Sequence, residues 1–160
     1  FKLQCDNSFM RHSLNKNSSQ ASSELLDDGW YEYPTYNWHA RGGTVGKSCF
    51  TYLVEYYADG TGTYGSMGLA KFDSCTMQKV ATWNEPSTFP SEPHYIARDP
   101  SYPYTAAEDD GVILTTVMNG ASSNRLSELL VLSAKELSVL ARIPLDRPVP
   151  ATVHGWWVVS

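Results

Sequence analysis

No apolar run in the sequence approaches the roughly 20 residues that a membrane-spanning helix needs. Basic clusters are missing too: 12 lysines and arginines stand against 17 acidic residues, for a formal charge of −5. That balance disfavours nucleic acid and anionic membrane surfaces as partners. The cysteine count is odd, with Cys5, Cys49 and Cys75 spaced 44 and 26 residues apart. Such spacing fits neither a disulfide framework nor a C-x-x-C zinc pair. Three scattered thiols suit a reducing compartment, so the expectation is a cytoplasmic protein with free cysteines. No interval carries a 3.6-residue apolar stripe for more than two turns, which excludes a helical bundle. The first residue is Phe1 and no signal-peptide pattern follows it, as expected of a piece of a longer protein.

What is present reads as one domain of 160 residues with enough apolar content, 42%, for a real core. Residues 1–28 are rich in Ser and Asn and lack periodicity, which predicts a surface loop or insertion. From Gly29 to Ser160 the texture is short β-branched and aromatic runs between turn residues. The runs are "WYEY", "CFTYLVEYY", "LAKF", "QKVATW", "HYIAR", "GVILTTVM", "ELLVLS", "SVLARI" and "TVHGWWVV". Two stretches, Leu69–Trp83 and Leu129–Ile143, share a strand–turn–strand pattern at an offset of 60. Repeated antiparallel units of that size point to an all-β fold and suggest propeller blades.

Several motifs carry potential chemistry. "GTGTYG" (Gly60–Gly65) has the G-x-G-x-x-G spacing, but no helical face follows it, so nucleotide binding is excluded. "AEDDG" (Ala107–Gly111) lacks the ligand spacing of a calcium loop and reads as a turn entering a strand. Glu85 and Glu92 each precede a proline, and Glu32 sits in the aromatic "YEYP". Each is either an edge-strand carboxylate facing water or an acceptor for the free ring N–H of a metal-bound histidine. His154, in the apolar "PATVHGWWVVS", is either a satisfied buried imidazole or a metal ligand.

Taken in order, "YEYPTYN", "WNEPSTFPSEPHYIARDP", "EDDGVILTTVMNG" and "ELLVLSAKELSVLARIPLDRPVPATVHGWW" resemble the C-terminal part of the carotenoid cleavage oxygenases. The likeness is to the animal branch, which holds the β-carotene oxygenases and the retinoid isomerohydrolase. It covers Gly29–Ser160 and leaves residues 1–28 unmatched. The resemblance implies the C-terminal blades of a seven-bladed β-propeller with an axial Fe(II), Fe(2+), held by four histidines. Three glutamates one shell out orient three of those histidines. It makes His154 the last iron ligand and puts Glu32 and Glu92 at two of the orienting positions. Glu85 falls where no metal role is expected, and His12, His39 and His94 lie at no ligand position.

By the same resemblance the other three ligands lie outside this chain, so it alone should be inactive. Each glutamate is expected to serve a histidine absent here, so direct contact with His154 is not required. The implied reaction adds dioxygen across a polyene double bond of a carotenoid or apocarotenoid, giving aldehydes or ketones. The alternatives are a retinoid isomerohydrolase and a non-catalytic carotenoid- or retinoid-binding relative. No catalytic residue beyond the metal site is implied. Peripheral membrane contact, if the enzyme makes it, would come through upstream segments.

Overall fold

The computed structural model describes residues 8–38, 48–58, 64–99, 107–120, 126–150 and 154–155. Among the described residues, eleven strands fall into three antiparallel sheets, as the strand-like runs require. No helix of eight or more residues occurs among the described residues.

The predicted loop over 1–28 is a β-hairpin over its described part. Strand β1 (Phe9–Asn15) pairs with β2 (Gln20–Asp27) from Phe9↔Asp27 to Asn15↔Gln20. Asn15 makes the turn: its Oδ1 accepts the N–H groups of Asn17 (2.9 Å) and Ser18 (3.3 Å), and Ser19 takes φ 53°. Nearly every position of the two strands is exposed, so no apolar alternation marks them in the sequence. Phe9 anchors the hairpin, its ring centroid 4.6 Å from that of Phe72 and close to Tyr31.

The second sheet has the order β3–β4–β5–β6, formed by Trp30–Thr35, Phe50–Ala58, Tyr64–Asp73 and Gln78–Asn84. The third has the order β11–β10–β9–β7: Val139–Pro144, Ser127–Ser133, Gly111–Asn119 and Thr88–Pro90. Strand β8 (His94–Ala97) also pairs with β9, beyond β7. The two sheets face each other through alternate residues, as a period of two demands. Tyr52, Val54 and Leu69 from one sheet meet Ile113, Val117, Leu130 and Leu132 from the other, all buried. Burying each such aliphatic side chain contributes about 1.5–3 kcal/mol.

The offset of 60 runs through both sheets. Ladder irregularities fall between Lys71 and Phe72 and between Val131 and Leu132. The β5–β6 and β10–β11 turns each end on a left-handed residue, Met77 at φ 63° and Leu137 at φ 54°. Both pairs differ by 60.

The acidic turn "AEDDG" ties the sheets together. Glu108 accepts hydrogen bonds from Ser48 Oγ (2.8 Å), the Cys49 N–H (2.9 Å) and the Phe50 N–H (2.8 Å). Asp109 takes the Lys71 ammonium at 2.8 Å, and Lys71 is 2% exposed. That ammonium also donates to the Lys135 carbonyl at 3.0 Å and sits 4.0 Å from the Phe50 ring centroid. Asp110 pairs with Arg98 at 2.7 Å. The expected turn is therefore a structural clasp. Of "GTGTYG", Gly60–Thr63 lie outside the described residues, and Tyr64 and Gly65 open strand β5.

The expectation of free thiols is corrected: Cys49 and Cys75 form a disulfide. Their separation of 26 residues hid a cross-strand neighbourhood. Antiparallel pairing of Phe50 with Asp73 brings the residues just outside both ends together, at a Cα–Cα distance of 5.2 Å. Two of the three thiols that suggested a reducing compartment are therefore consumed; Cys5 lies outside the described residues.

Candidate metal-ligand site

Glu92 sits in a break between two strands. Pro90 and Pro93 lack N–H groups, so no continuous ladder can pass through Ser91-Glu92-Pro93. Ser91 holds the break to β9: its N–H donates to the Thr116 carbonyl (2.8 Å), and Thr115 Oγ1 donates to its carbonyl (2.8 Å). Such an interruption re-aims the intervening side chain. The Glu92 carboxylate is 18% exposed and points at His154.

Both Glu92 oxygens lie 3.4 Å from His154 Nδ1, and Oε2 also accepts the Gly155 N–H at 3.1 Å. A proton on Nδ1, facing the carboxylate, leaves the lone pair on Nε2. With the imidazole 75% exposed, that nitrogen is free to bind a partner. The buried-histidine reading of the closing segment is thereby corrected. His154 is exposed and lies outside any strand; "TV" and "WWVVS" around His154-Gly155 lie outside the described residues. Also corrected is the expectation that each glutamate serves a histidine absent from the chain, since Glu92 contacts His154 itself.

The Tyr33 ring meets the imidazole edge-on, with centroids 5.9 Å apart and planes at 85°. Tyr33 has φ 55°, a left-handed value that costs an ordinary residue about 1–3 kcal/mol, and Pro34 follows it. Its strand β3 loses register between Glu32 and Thr35, so both candidate glutamates border a proline-marked break. Glu32 is exposed, and no hydrogen bond or ion pair joins it to another described residue. The structure thus brings Glu92 to His154 and does not bring Glu32 to either. It is Tyr33, next to Glu32, that touches the imidazole.

Two further residues enter that sequence reasoning left without a role. His94 Nε2 lies 3.9 Å from Glu92 Oε2, and Tyr33 flanks His154. Proximity in sequence to "SEP" and "YEYP" was the available signal for each. Glu85 takes an unrelated partner, ion-pairing with Arg142, which also holds Glu128 at 2.5 Å. His12 bonds Ser23 Oγ at 2.8 Å in the hairpin, away from the site, and His39 lies outside the described residues.

Among the described residues one other group brings ligand-type atoms together, Cys49, Asp73 and Cys75. Its sulfurs are in the disulfide, and Asp73 Oδ1 accepts the N–H groups of Cys75 and Thr76. Burial raises the Asp73 pKa, but those bonds, one from the Thr76 side chain and nearby Lys71 together hold it below the usual carboxylate value. Those ties suit a turn, not an ion. Four tyrosines stay phenolic, mainly through burial and secondarily through facing carboxylates: Tyr31, Tyr52, Tyr57, and Tyr95, which is pushed up to about 12.

Comparison with known proteins decides the family. The sequence profile of the family described as "Retinal pigment epithelial membrane protein" matches residues 2–159. The chain belongs to this family, that of the carotenoid oxygenases. The match takes in the leader that the motifs had left out. The chain is 41% identical over 143 residues to the carotenoid isomerooxygenase of Drosophila melanogaster, covering 88% of this chain and 22% of that protein. It is 32% identical over 90 residues to the mouse β,β-carotene 15,15′-dioxygenase, covering 56% of this chain and 15% of that one. The structure of cobalt-substituted Synechocystis ACO superposes with a TM-score of 0.76 and 20% identity, over 96% of this chain and 30% of that chain. That likeness gives the fold: the two larger sheets are blades of a carotenoid-oxygenase propeller.

Proposed function

We propose that the chain is the C-terminal part of a non-haem Fe(II) oxygenase that cleaves a polyene double bond of a carotenoid or apocarotenoid. His154 supplies one of the imidazoles that hold the iron. The observation that carries the reading is the Glu92 carboxylate set against His154 Nδ1, which leaves Nε2 exposed and available. This donor arrangement fits a ferrous ion held by neutral histidines. When bound, the iron supplies redox chemistry and open positions for dioxygen.

The chain's own residues then have separate tasks. Glu92 keeps the proton on Nδ1 and places negative charge one shell from the metal without occupying a coordination position. The Gly155 N–H holds that carboxylate from the other side, and the Tyr33 ring limits the swing of the imidazole. Glu32, exposed beside Tyr33, is positioned for a histidine from another part of the propeller. Dioxygen as co-substrate belongs to this same reading.

The test is metal content and product release in the full-length protein and its His154→Ala variant. Stoichiometric iron and an aldehyde or ketone product are expected in the first, and loss of both in the second. Residues 1–160 alone should retain no iron after dialysis, because a single imidazole binds Fe(II) feebly. A fragment that kept iron and released an apocarotenal would overturn the proposal. The 41% identity to an isomerooxygenase favours a second reading, in which cleavage is coupled to isomerisation of the polyene. A cis product from an all-trans substrate would support it.

A further inference from the structure

We propose that His94 is a positioning residue for this metal site and acts through Glu92. The inference rests on the iron reading above, but its observations are separate. His94 opens strand β8 opposite Leu114, where the ladder to β9 fixes its backbone. Its Nε2 lies 3.9 Å from Glu92 Oε2, and the side chain is 29% exposed. The imidazole also lies close to the backbone that follows the ligand. A Cβ on Gly155 would sit 3.2 Å from His94 Nε2, tighter than ordinary van der Waals contact.

Three nitrogens therefore surround one carboxylate: His154 Nδ1, the Gly155 N–H and His94 Nε2. The first holds the ligand, and the other two stand on the Oε2 side. The terminal torsion of a carboxylate is broad and roughly two-fold. His94, packed 3.9 Å from the oxygen that already accepts the Gly155 N–H, crowds that side and so helps to keep Glu92 aimed at His154. The other blade has no equivalent. Sixty residues earlier, Glu32 corresponds to Glu92 and Pro34 to His94, and among the described residues no hydrogen bond or ion pair joins an imidazole to Glu32.

The experiment uses the full-length protein with Co(II) as a spectroscopic probe, read by its dissociation constant and visible absorption bands. His94→Phe keeps a ring in place and removes the nitrogen. It should weaken Co(II) binding by about 3- to 10-fold and shift the bands, less than the roughly 10- to 100-fold typical of losing a ligand's direct carboxylate partner. His94→Gln, whose amide can reach the same carboxylate, should restore most of the affinity. In a Glu92→Gln background the effect of His94→Phe should largely vanish, because neighbours acting through one group are not additive. An unchanged constant and spectrum in His94→Phe would overturn the proposal, as would an equal loss in the Glu92→Gln background. A wild-type protein that binds no Co(II) or Fe(II) would instead overturn the iron reading, and this proposal with it.

Discussion

The two blades repeat every 60 residues, yet they are stapled by different chemistry at the same place. In the first blade Cys49, just before β4, is bonded to Cys75 in the β5–β6 turn. Adding 60 to each number gives Asp109 and Lys135 in the second blade, and no covalent bond is available there. The Lys71 ammonium from the first blade reaches across instead, bonding the Asp109 carboxylate at 2.8 Å and the Lys135 carbonyl at 3.0 Å. One blade closes itself, while the other is closed by its neighbour. The fold therefore tolerates either solution at this corner, provided that the second strand stays tied to the following turn.

The ionic staple should be the costlier one to break. Asp109→Asn leaves a lysine that is 2% exposed without its counter-charge. Removing one partner of a buried pair costs about 3–5 kcal/mol, because the remaining charge is uncompensated. Urea unfolding of the full-length protein should show that loss. A drop below 1 kcal/mol would mean that the Lys135 carbonyl and the Phe50 ring suffice for Lys71.

Next comes the covalent staple. In the chain-entropy account, a cross-link across 26 residues contributes about 3.5 kcal/mol at 25 °C. Cys75→Ser, or reduction of the wild-type protein by dithiothreitol, should lower the unfolding free energy by about that amount. Cys75 is exposed, so the reductant can reach the bond. Lys71 sits on the Phe50 ring beside Cys49, so the two staples are neighbours, and Asp109→Asn combined with reduction should depart from the sum of the two single effects. An identical melting curve with and without reductant would mean that the bond contributes nothing.

How much of this was legible in the sequence depends on whether the signal was local. The strands from Trp30 to Pro144 alternate β-branched and aromatic residues between turns, so the all-β reading needed only neighbouring residues. The β1–β2 hairpin escaped because both its faces meet water and leave no apolar period. The Cys49–Cys75 bond escaped because a register between β4 and β5, not a spacing, makes the neighbours. Glu92 and His154 were both picked out, but not as a pair: residue 154 returns to residue 92 only through the fold. Tyr33 and His94 gave no motif of their own, and only contact assigns them a place.

The same comparison extends to the proline-marked break in each blade, where Glu32 and Glu92 are 60 residues apart. Glu92 has its imidazole within the chain, whereas Glu32 has no partner among the described residues. In the full-length protein both should serve ligand histidines. Glu32→Gln and Glu92→Gln are each expected to lower iron affinity by about 10- to 100-fold. Metal titration of the two variants tests the equivalence directly. A loss confined to Glu92→Gln would show that the first blade's carboxylate faces water only.

The smallest effect belongs to Glu85, which shares the Glu-Pro dipeptide of Glu92 and none of its contacts. Its carboxylate pairs with Arg142, and both side chains are 38% exposed. Exposed ion pairs contribute about 0–1 kcal/mol, because water and salt screen them and two long side chains must be ordered. Arg142 also keeps Glu128 at 2.5 Å, so Glu85→Gln does not strand a charge. The Thr88 hydroxyl donates to the Glu85 carbonyl at 2.7 Å, a backbone contact that the substitution leaves alone. Stability should change by less than about 0.5 kcal/mol, the usual range for surface substitutions, and iron affinity should stay at the wild-type value. Calorimetric unfolding and metal titration on one sample would measure both. An iron loss matching that of Glu92→Gln would mean that the proline-marked backbone, not the carboxylate's contact with His154, governs the site.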